Sequence, residues 1–353
     1  MNINELLEAT YKNSCSDLHL MVGFPPMLRT DGVLNPVGGK EVLTGKECKE
    51  LVLSLLSDQQ KDLFLVNKEI DFSFSFGDKG RFRINAYYEK GNVSAALRLL
   101  PHDIPTIDEL NLPKIYHKFS ELRNGFILVT GPTGHGKSTT LAAIIEEINK
   151  NRKEHIITIE DPIEYVYEGK ESIISQRELH ADTHSWEIAL RSVLREDPNV
   201  VLVGEMRDYE TIAAALTIAE TGHLVFATLH TNSAAQTLDR IVDVFPEHQQ
   251  AQVRMQLSNT LEAVLSQRLL PALDGGRIPC CEVLLATPAV KATVREGKSH
   301  LIDNIIQTST ELGMMTLEMS LASWVKEGKI SMETAIQWSL RPEQLSRLIK
   351  GKA

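Results

Sequence analysis

Residues 131–138 read Gly131-Pro132-Thr133-Gly134-His135-Gly136-Lys137-Ser138, the pattern GxxxxGK[ST], and they lie between a short apolar run at 126–129 and a helical pattern over 137–151. No other feature constrains the chain as tightly. The glycines let consecutive backbone N–H groups turn inward around an anion, and the helix start adds the positive end of its dipole. Lys137 then reaches the terminal phosphate oxygens, while Ser138 supplies a hydroxyl ligand for Mg²⁺. On average residue usage the pattern arises by chance in about 1% of chains this long, and a chance glycine-rich turn would lack the strand before it and the helix after it. Residues 131–138, with Thr139 beyond them in the first helical turn, are therefore the expected binding site for ATP and Mg²⁺.

The surrounding texture fits such a site. Apolar runs at 126–129, 156–159, 200–203 and 224–229 alternate with helical patterns at 137–151, 186–195 and 209–219. Runs without a polar face belong to strands covered on both sides, so an α/β fold with a parallel sheet is expected. Three of these strands end in polar clusters: Glu160-Asp161-Pro162-Ile163-Glu164, Gly204-Glu205, and His230. In an open parallel sheet the carboxyl ends share one edge with the phosphate loop, which brings these groups to the nucleotide. Hydrolysis asks for such a set: one carboxylate to orient or deprotonate water, another to hold Mg²⁺, and a polar group touching the γ-phosphate.

Residues 1–100 read differently. A helical pattern at 3–11 leads to strand-like runs at 17–22 and 27–33, with Pro25-Pro26 and Asp31-Gly32 as turn signals. Thr44 with Glu47 three residues later is a capping-box pattern, and Leu51, Leu55 and Leu56 form the apolar face of the helix it opens. Strand-like runs at 70–76, 81–88 and 93–99 follow, making an antiparallel α+β module. Pro101, Pro105 and Pro113 mark a linker over 101–113, and a string of helices is expected from about 288.

Composition narrows the partners. At roughly 150 residues per domain, 353 residues suggest two domains. With 37 Lys+Arg against 47 Asp+Glu the net charge is −10, so no nucleic-acid partner is expected. Cys15, Cys48, Cys280 and Cys281 contain no CxxC pair and read as free thiols of a reducing compartment. The start, Met-Asn-Ile-Asn-Glu, lacks the basic and apolar regions of a signal peptide. The apolar stretches 212–219 and 224–229 fall well short of the ~18 residues that cross a bilayer. A cytoplasmic protein without direct membrane insertion is expected.

Several segments together carry a specific resemblance: Ser16-Asp17-Leu18-His19-Leu20, Gly80-Arg81-Phe82-Arg83-Ile84-Asn85-Ala86-Tyr87, the phosphate loop, Thr158-Ile159-Glu160-Asp161-Pro162-Ile163-Glu164-Tyr165, Leu194-Arg195-Glu196-Asp197-Pro198, Gly204-Glu205-Met206-Arg207-Asp208, and Thr221-Gly222-His223-Leu224 through Leu229-His230-Thr231. The match begins at Ser16–Leu20, and from Gly80 onward the segments resemble in order the arginine segment, Walker A, aspartate box, Walker B approach, Walker B acid and histidine box of the secretion ATPase superfamily, and most closely its type IV pilus retraction (PilT) family. The resemblance implies a PAS-like N-terminal domain (1–100) joined to a RecA-like ATPase domain (114–353). It implies Glu164 as general base, Glu205 as the Walker B acid near Mg²⁺, and His230, supported by His223, as γ-phosphate sensor. Arg81 and Arg83 would be arginine fingers, with Arg98 a third of the kind. A homohexamer acting on an inner-membrane pilus platform protein, peripheral to that membrane, is the implied assembly.

Two positions depart from the family pattern: His135 stands where Ser is usual, and Ala289-Val290-Lys291-Ala292-Thr293-Val294-Arg295-Glu296 keeps only the ends of the retraction motif. The rival within the superfamily is an assembly ATPase, whose members usually carry an additional N-terminal domain and a tetracysteine zinc insert. The cysteine spacing here argues for retraction. His180 and His184, spaced i,i+4, have no third metal ligand in the sequence around them.

Overall fold

A computed structural model describes residues 2–13, 15–30, 32–100 and 103–351. Asp31 and Pro101, singled out above, lie outside the described residues. The chain divides into two units, one comprising residues up to 103 together with 162–166, the other residues 104–161 and 167 onward.

The first unit is built on an antiparallel sheet of β1 (Asp17–Leu20), β2 (Met27–Thr30), β3 (Val33–Pro36), β4 (Glu69–Ser75), β5 (Arg81–Glu89) and β6 (Asn92–Leu100), in the order β3-β2-β1-β6-β5-β4. Period-2 alternation sends Phe82, Ile84 and Ala86 of β5 into a core with Leu18, Phe72 and Leu97, while Arg81 and Arg83 occupy the opposite face. Thr44 caps the helix Gly45–Leu53 in the expected box: its hydroxyl accepts from the Glu47 N–H at 3.3 Å, and Glu47 accepts from the Thr44 N–H at 2.9 Å. The run at 27–33 is two strands rather than one, because Gly32, at φ +83°, turns the chain and pairs Thr30 with Val33. A helix at Asp58–Asn67 has no counterpart in the sequence pattern, since only Phe64 is buried while Leu63, Leu65 and Val66 stand exposed.

The second unit holds seven strands: β7 (Gly125–Thr130), β8 (His155–Glu160), β9 (Ile173–Glu178), β10 (Val200–Val203), β11 (Leu224–Leu229), β12 (Leu261–Pro271) and β13 (Arg277–Leu285). Their order is β13-β12-β7-β11-β10-β8-β9, and every neighbouring pair is parallel except β12–β13. The sheet is thus mixed at one edge. β7, β10 and β11 are buried at every residue, as their apolar sequences require. Helices Lys137–Asn151, Trp186–Val193 and Tyr209–Glu220 follow β7, β9 and β10, and the chain beyond Pro288 is helical. Cys15, Cys48, Cys280 and Cys281 are free and buried. No helix among the described residues is long and apolar enough to cross a membrane.

Candidate nucleotide-phosphate site

The register places the expected groups on one edge. Thr130, the last residue of β7, pairs with Leu229 of β11, and Val203 of β10 pairs with Ala227 of β11 and Ile159 of β8. The loop 131–136, His230, Glu205 and Glu160 therefore all emerge at the carboxyl edge of the sheet, where a doubly wound sheet binds its ligand.

Two loop glycines are required by close approach. A Cβ on Gly131 (φ +142°) would lie 2.2 Å from the Gln267 carbonyl oxygen, and one on Gly136 (φ +82°) 2.8 Å from Gln267 Nε2. Lys137 is buried, and its ammonium donates to the carbonyls of Gly131 at 2.8 Å and Pro132 at 3.0 Å, which places a positive charge inside the curl of the loop. Ser138 and Thr139 occupy the first turn of the helix Lys137–Asn151, where backbone N–H groups have no intrahelical acceptor.

Glu205 follows Gly204, whose N–H donates to Ile159 O at 2.8 Å and whose carbonyl accepts from Thr228 at 2.6 Å. A Cβ on Gly204 would stand 3.1 Å from the Glu160 Cα, so this tight stitch between β8 and β11 needs glycine. The Glu205 carboxylate accepts from Arg207 Nε at 2.6 Å and Nη2 at 2.8 Å, a bidentate pair. Nε2 of His230 lies 3.1 Å from Glu205, and Nδ1 lies 3.3 Å from the Thr133 hydroxyl. Burial works to raise the Glu205 carboxyl, but Arg207, His230 and Lys137 outweigh it and hold the group below its ordinary range. Burial and the Lys137 charge push His230 below the usual imidazole value.

The other expected residues are distributed more widely. His223 precedes β11, whereas His230 follows it, so the two are separated by the length of a six-residue strand, on the order of 20 Å. His223 Nδ1 instead lies 3.0 Å from Thr221 Oγ1 and donates to the Ile218 carbonyl at 3.0 Å, at the far edge. Glu164 belongs to the segment 162–166 and hence to the first unit, between buried Ile163 and Tyr165. Glu160 is the acid that closes β8; it is buried and accepts from Thr158 at 2.6 Å and Gln176 at 3.3 Å. On the sheet of the first unit Arg83 stands directly opposite Arg98, and Arg98 donates to Asp17 at 2.9 Å. His135 does not stay a simple loop residue: Nδ1 accepts from the Leu269 N–H at 2.9 Å, and its ring meets Trp338 edge-on at 5.6 Å between centroids.

Residues absent from the sequence-based set also touch the loop. Gln267 on β12 and Arg277 on β13 bond to the carbonyls of His135 and Gly134. A turn signal that could have located this hairpin is Asp274-Gly275-Gly276.

Residues 72–311 match the model of the type II/IV secretion system protein family. The chain is 46% identical to the type IV pilus retraction ATPase PilT of Pseudomonas aeruginosa over 97% of its own length and 99% of the relative's. The chain belongs to this family. It is also 48% identical to a twitching motility protein of Neisseria gonorrhoeae, over 91% of this chain and 86% of that one. A crystal structure of the pilus retraction motor PilT with bound ADP superposes with a TM-score of 0.93, at 44% identity and over 98% of this chain and 99% of that one. The secretion-family match takes in Arg81, Arg83, Arg98, the phosphate loop, Glu164, Glu205, His223 and His230, and it includes Gln267 and Arg277 as well.

Proposed function

We propose that this protein is the ATP-hydrolysing motor of type IV pilus retraction, working as a homohexamer on an inner-membrane platform protein from the cytoplasmic side. The observation that carries the reading is the 46% identity to a pilus retraction ATPase over nearly the whole of both chains. The site supports the chemistry. ATP phosphates are bound by the backbone N–H groups of 133–139 and by Lys137. His230 touches the γ-phosphate while remaining tied to Glu205, and Glu164 takes the proton of the attacking water. Arg81 and Arg83, with Arg98, supply positive charge to the nucleotide of a neighbouring subunit, which is what makes activity a property of the ring. In this reading the N-terminal α+β domain (1–100) is PAS-like and regulatory, 101–113 is the linker, and 114–353 is a RecA-like motor.

Mg²⁺ fits the donors present. The Ser138 hydroxyl and the Glu205 carboxylate are hard oxygen ligands, and no cluster of three His, Cys, Asp or Glu among the described residues forms a cage. A cation that arrives with nucleotide phosphates and keeps its waters suits so sparse a set. Both Glu205 oxygens already hold Arg207, so Glu205 acts on the ion through water or after Arg207 lets go. When bound, the ion neutralises charge developing on the phosphates.

Deleting the protein from a piliated strain tests the reading. Surplus surface pili with loss of twitching motility support retraction. A bald strain would mean pilus assembly instead.

A further inference from the structure

The pattern GxxxxGK[ST] contains the loop, but the hairpin β12–β13 holds it from outside. β12 runs parallel to β7 with Ser266 opposite Thr130, and it continues past the end of β7, so Gln267 and Leu269 lie alongside the loop. Gln267 is 3% exposed and fully used: Nε2 donates to the His135 carbonyl at 3.0 Å, and Oε1 accepts from Thr140 Oγ1 at 2.7 Å. Arg277, at the start of β13, is exposed and donates from Nη1 to the Gly134 carbonyl at 3.1 Å.

A trans peptide unit is planar, with its C=O and the following N–H directed to opposite sides. Holding the carbonyls of Gly134 and His135 toward the hairpin therefore turns the N–H groups of His135 and Gly136 toward the inside of the loop, where an anion would be cradled. The same side chain ties the loop to the first turn of the following helix through Thr140. We propose that Gln267 and Arg277 are positioning residues for nucleotide phosphate: they aim two N–H groups of the loop without touching the phosphate themselves.

This inference rests on the reading of the loop as a nucleotide site, and the experiment separates the two. Binding of a fluorescent ADP analogue is measured on the assembled full-length protein, first unsubstituted. No binding there would remove the site itself and the inference with it. Given binding, Gln267→Met, which keeps the volume but has no hydrogen bonds to offer, weakens it by roughly 3- to 10-fold, the worth of one or two neutral hydrogen bonds. Gln267→Glu weakens it further, because it sets an oxygen against the His135 carbonyl. Arg277→Ala, at an exposed position where folding is not at stake, weakens it several-fold, and Arg277→Lys restores most of the loss. A merely structural role would lower the melting temperature without a matching change in KM for ATP. The positioning role raises KM while kcat at saturating ATP stays near that of the unsubstituted protein. Unchanged ADP affinity in both Gln267→Glu and Arg277→Ala would overturn the proposal.

Discussion

Nε2 of His230 lies 3.1 Å from Oε1 of Glu205, and this contact ties the end of β11 to the end of β10. A carboxylate only accepts, so Nε2 carries the proton; Nδ1 then accepts from the Thr133 hydroxyl at 3.3 Å. Burial and Lys137 favour the neutral ring that this arrangement needs. The loop 131–136, through Thr133, and Glu205 are thus joined through one imidazole. His230→Ala is expected to reduce ATP turnover by ~10-fold or more while leaving ADP affinity within a few-fold, because the contact orients groups for the transition state. Steady-state hydrolysis and ADP titration check it; parallel losses in both would instead make His230 a binding residue.

Two acids compete for the role of base. Glu160 is buried and its Oε1 already accepts from Thr158 and Gln176, so its carboxylate is committed to the sheet edge. Glu164 lies four residues on and is half-buried. Glu164→Gln is expected to bind ATP and turn it over at least ~100-fold more slowly, as loss of a general base requires. Turnover at the original rate would return the role to Glu160 or to another group.

The arginines of the first unit should separate stability from activity. Arg83 and Arg98 face each other across β5 and β6, and like charges directly opposite are destabilising. Asp17, on the next strand, pairs with Arg98 at 2.9 Å and lies 3.8 Å from Arg29, so it relieves Arg98 of the facing pair. Arg83→Gln is therefore expected to raise stability by about 0.2–1 kcal/mol while lowering ATPase activity of the oligomer. Arg98→Gln should do the opposite to stability, since it removes the nearer of the two cations beside buried Asp17 and leaves it Arg29 at 3.8 Å and the Ser16 hydroxyl. Urea denaturation alongside hydrolysis assays distinguishes the pair; a fall in stability for both would refute the cross-strand argument.

What the sequence made legible follows from which faces are buried. β7, β10 and β11 are enclosed on both sides, so their apolar runs announce them, and the helix Lys137–Asn151 is opened by the motif itself. β12 was hidden because Ser266, Gln267 and Arg268 interrupt its apolar pattern, and two of these serve the loop and its strand: Ser266 bonds to Thr130 and Gln267 to His135 and Thr140. Polar contacts there interrupt the periodicity. Gln267 meets partners more than 120 residues away in the chain, a relation that local spacing cannot carry. His223 and His230 show the converse, since the family resemblance sets them together while the extended strand between them sets them apart.

Glu282 contributes a pH dependence to the stability of the second unit. It lies on β13, 5% exposed, and accepts the Ala234 N–H at 2.6 Å at the start of the helix that follows the His230 loop. Burial pushes its carboxyl up to about 7; Asp303 and Glu318 add to the shift, while the Ala234 N–H and Arg341 oppose it. A group whose folded pKa is raised gives stability that is whole below its unfolded value, 4.5, and that is lost as pH rises through the folded value, about 7. At 1.36 kcal/mol per unit the loss is about 3 kcal/mol between those limits, flat on either side. Glu282→Gln keeps an acceptor for Ala234 and removes the titration. Urea denaturation between pH 5 and 8 should show the variant gaining on the unsubstituted protein as pH rises, reaching a plateau above pH 7. A difference that does not change with pH would mean that Glu282 stays ionised in its pocket and that Arg341 and the helix start outweigh burial.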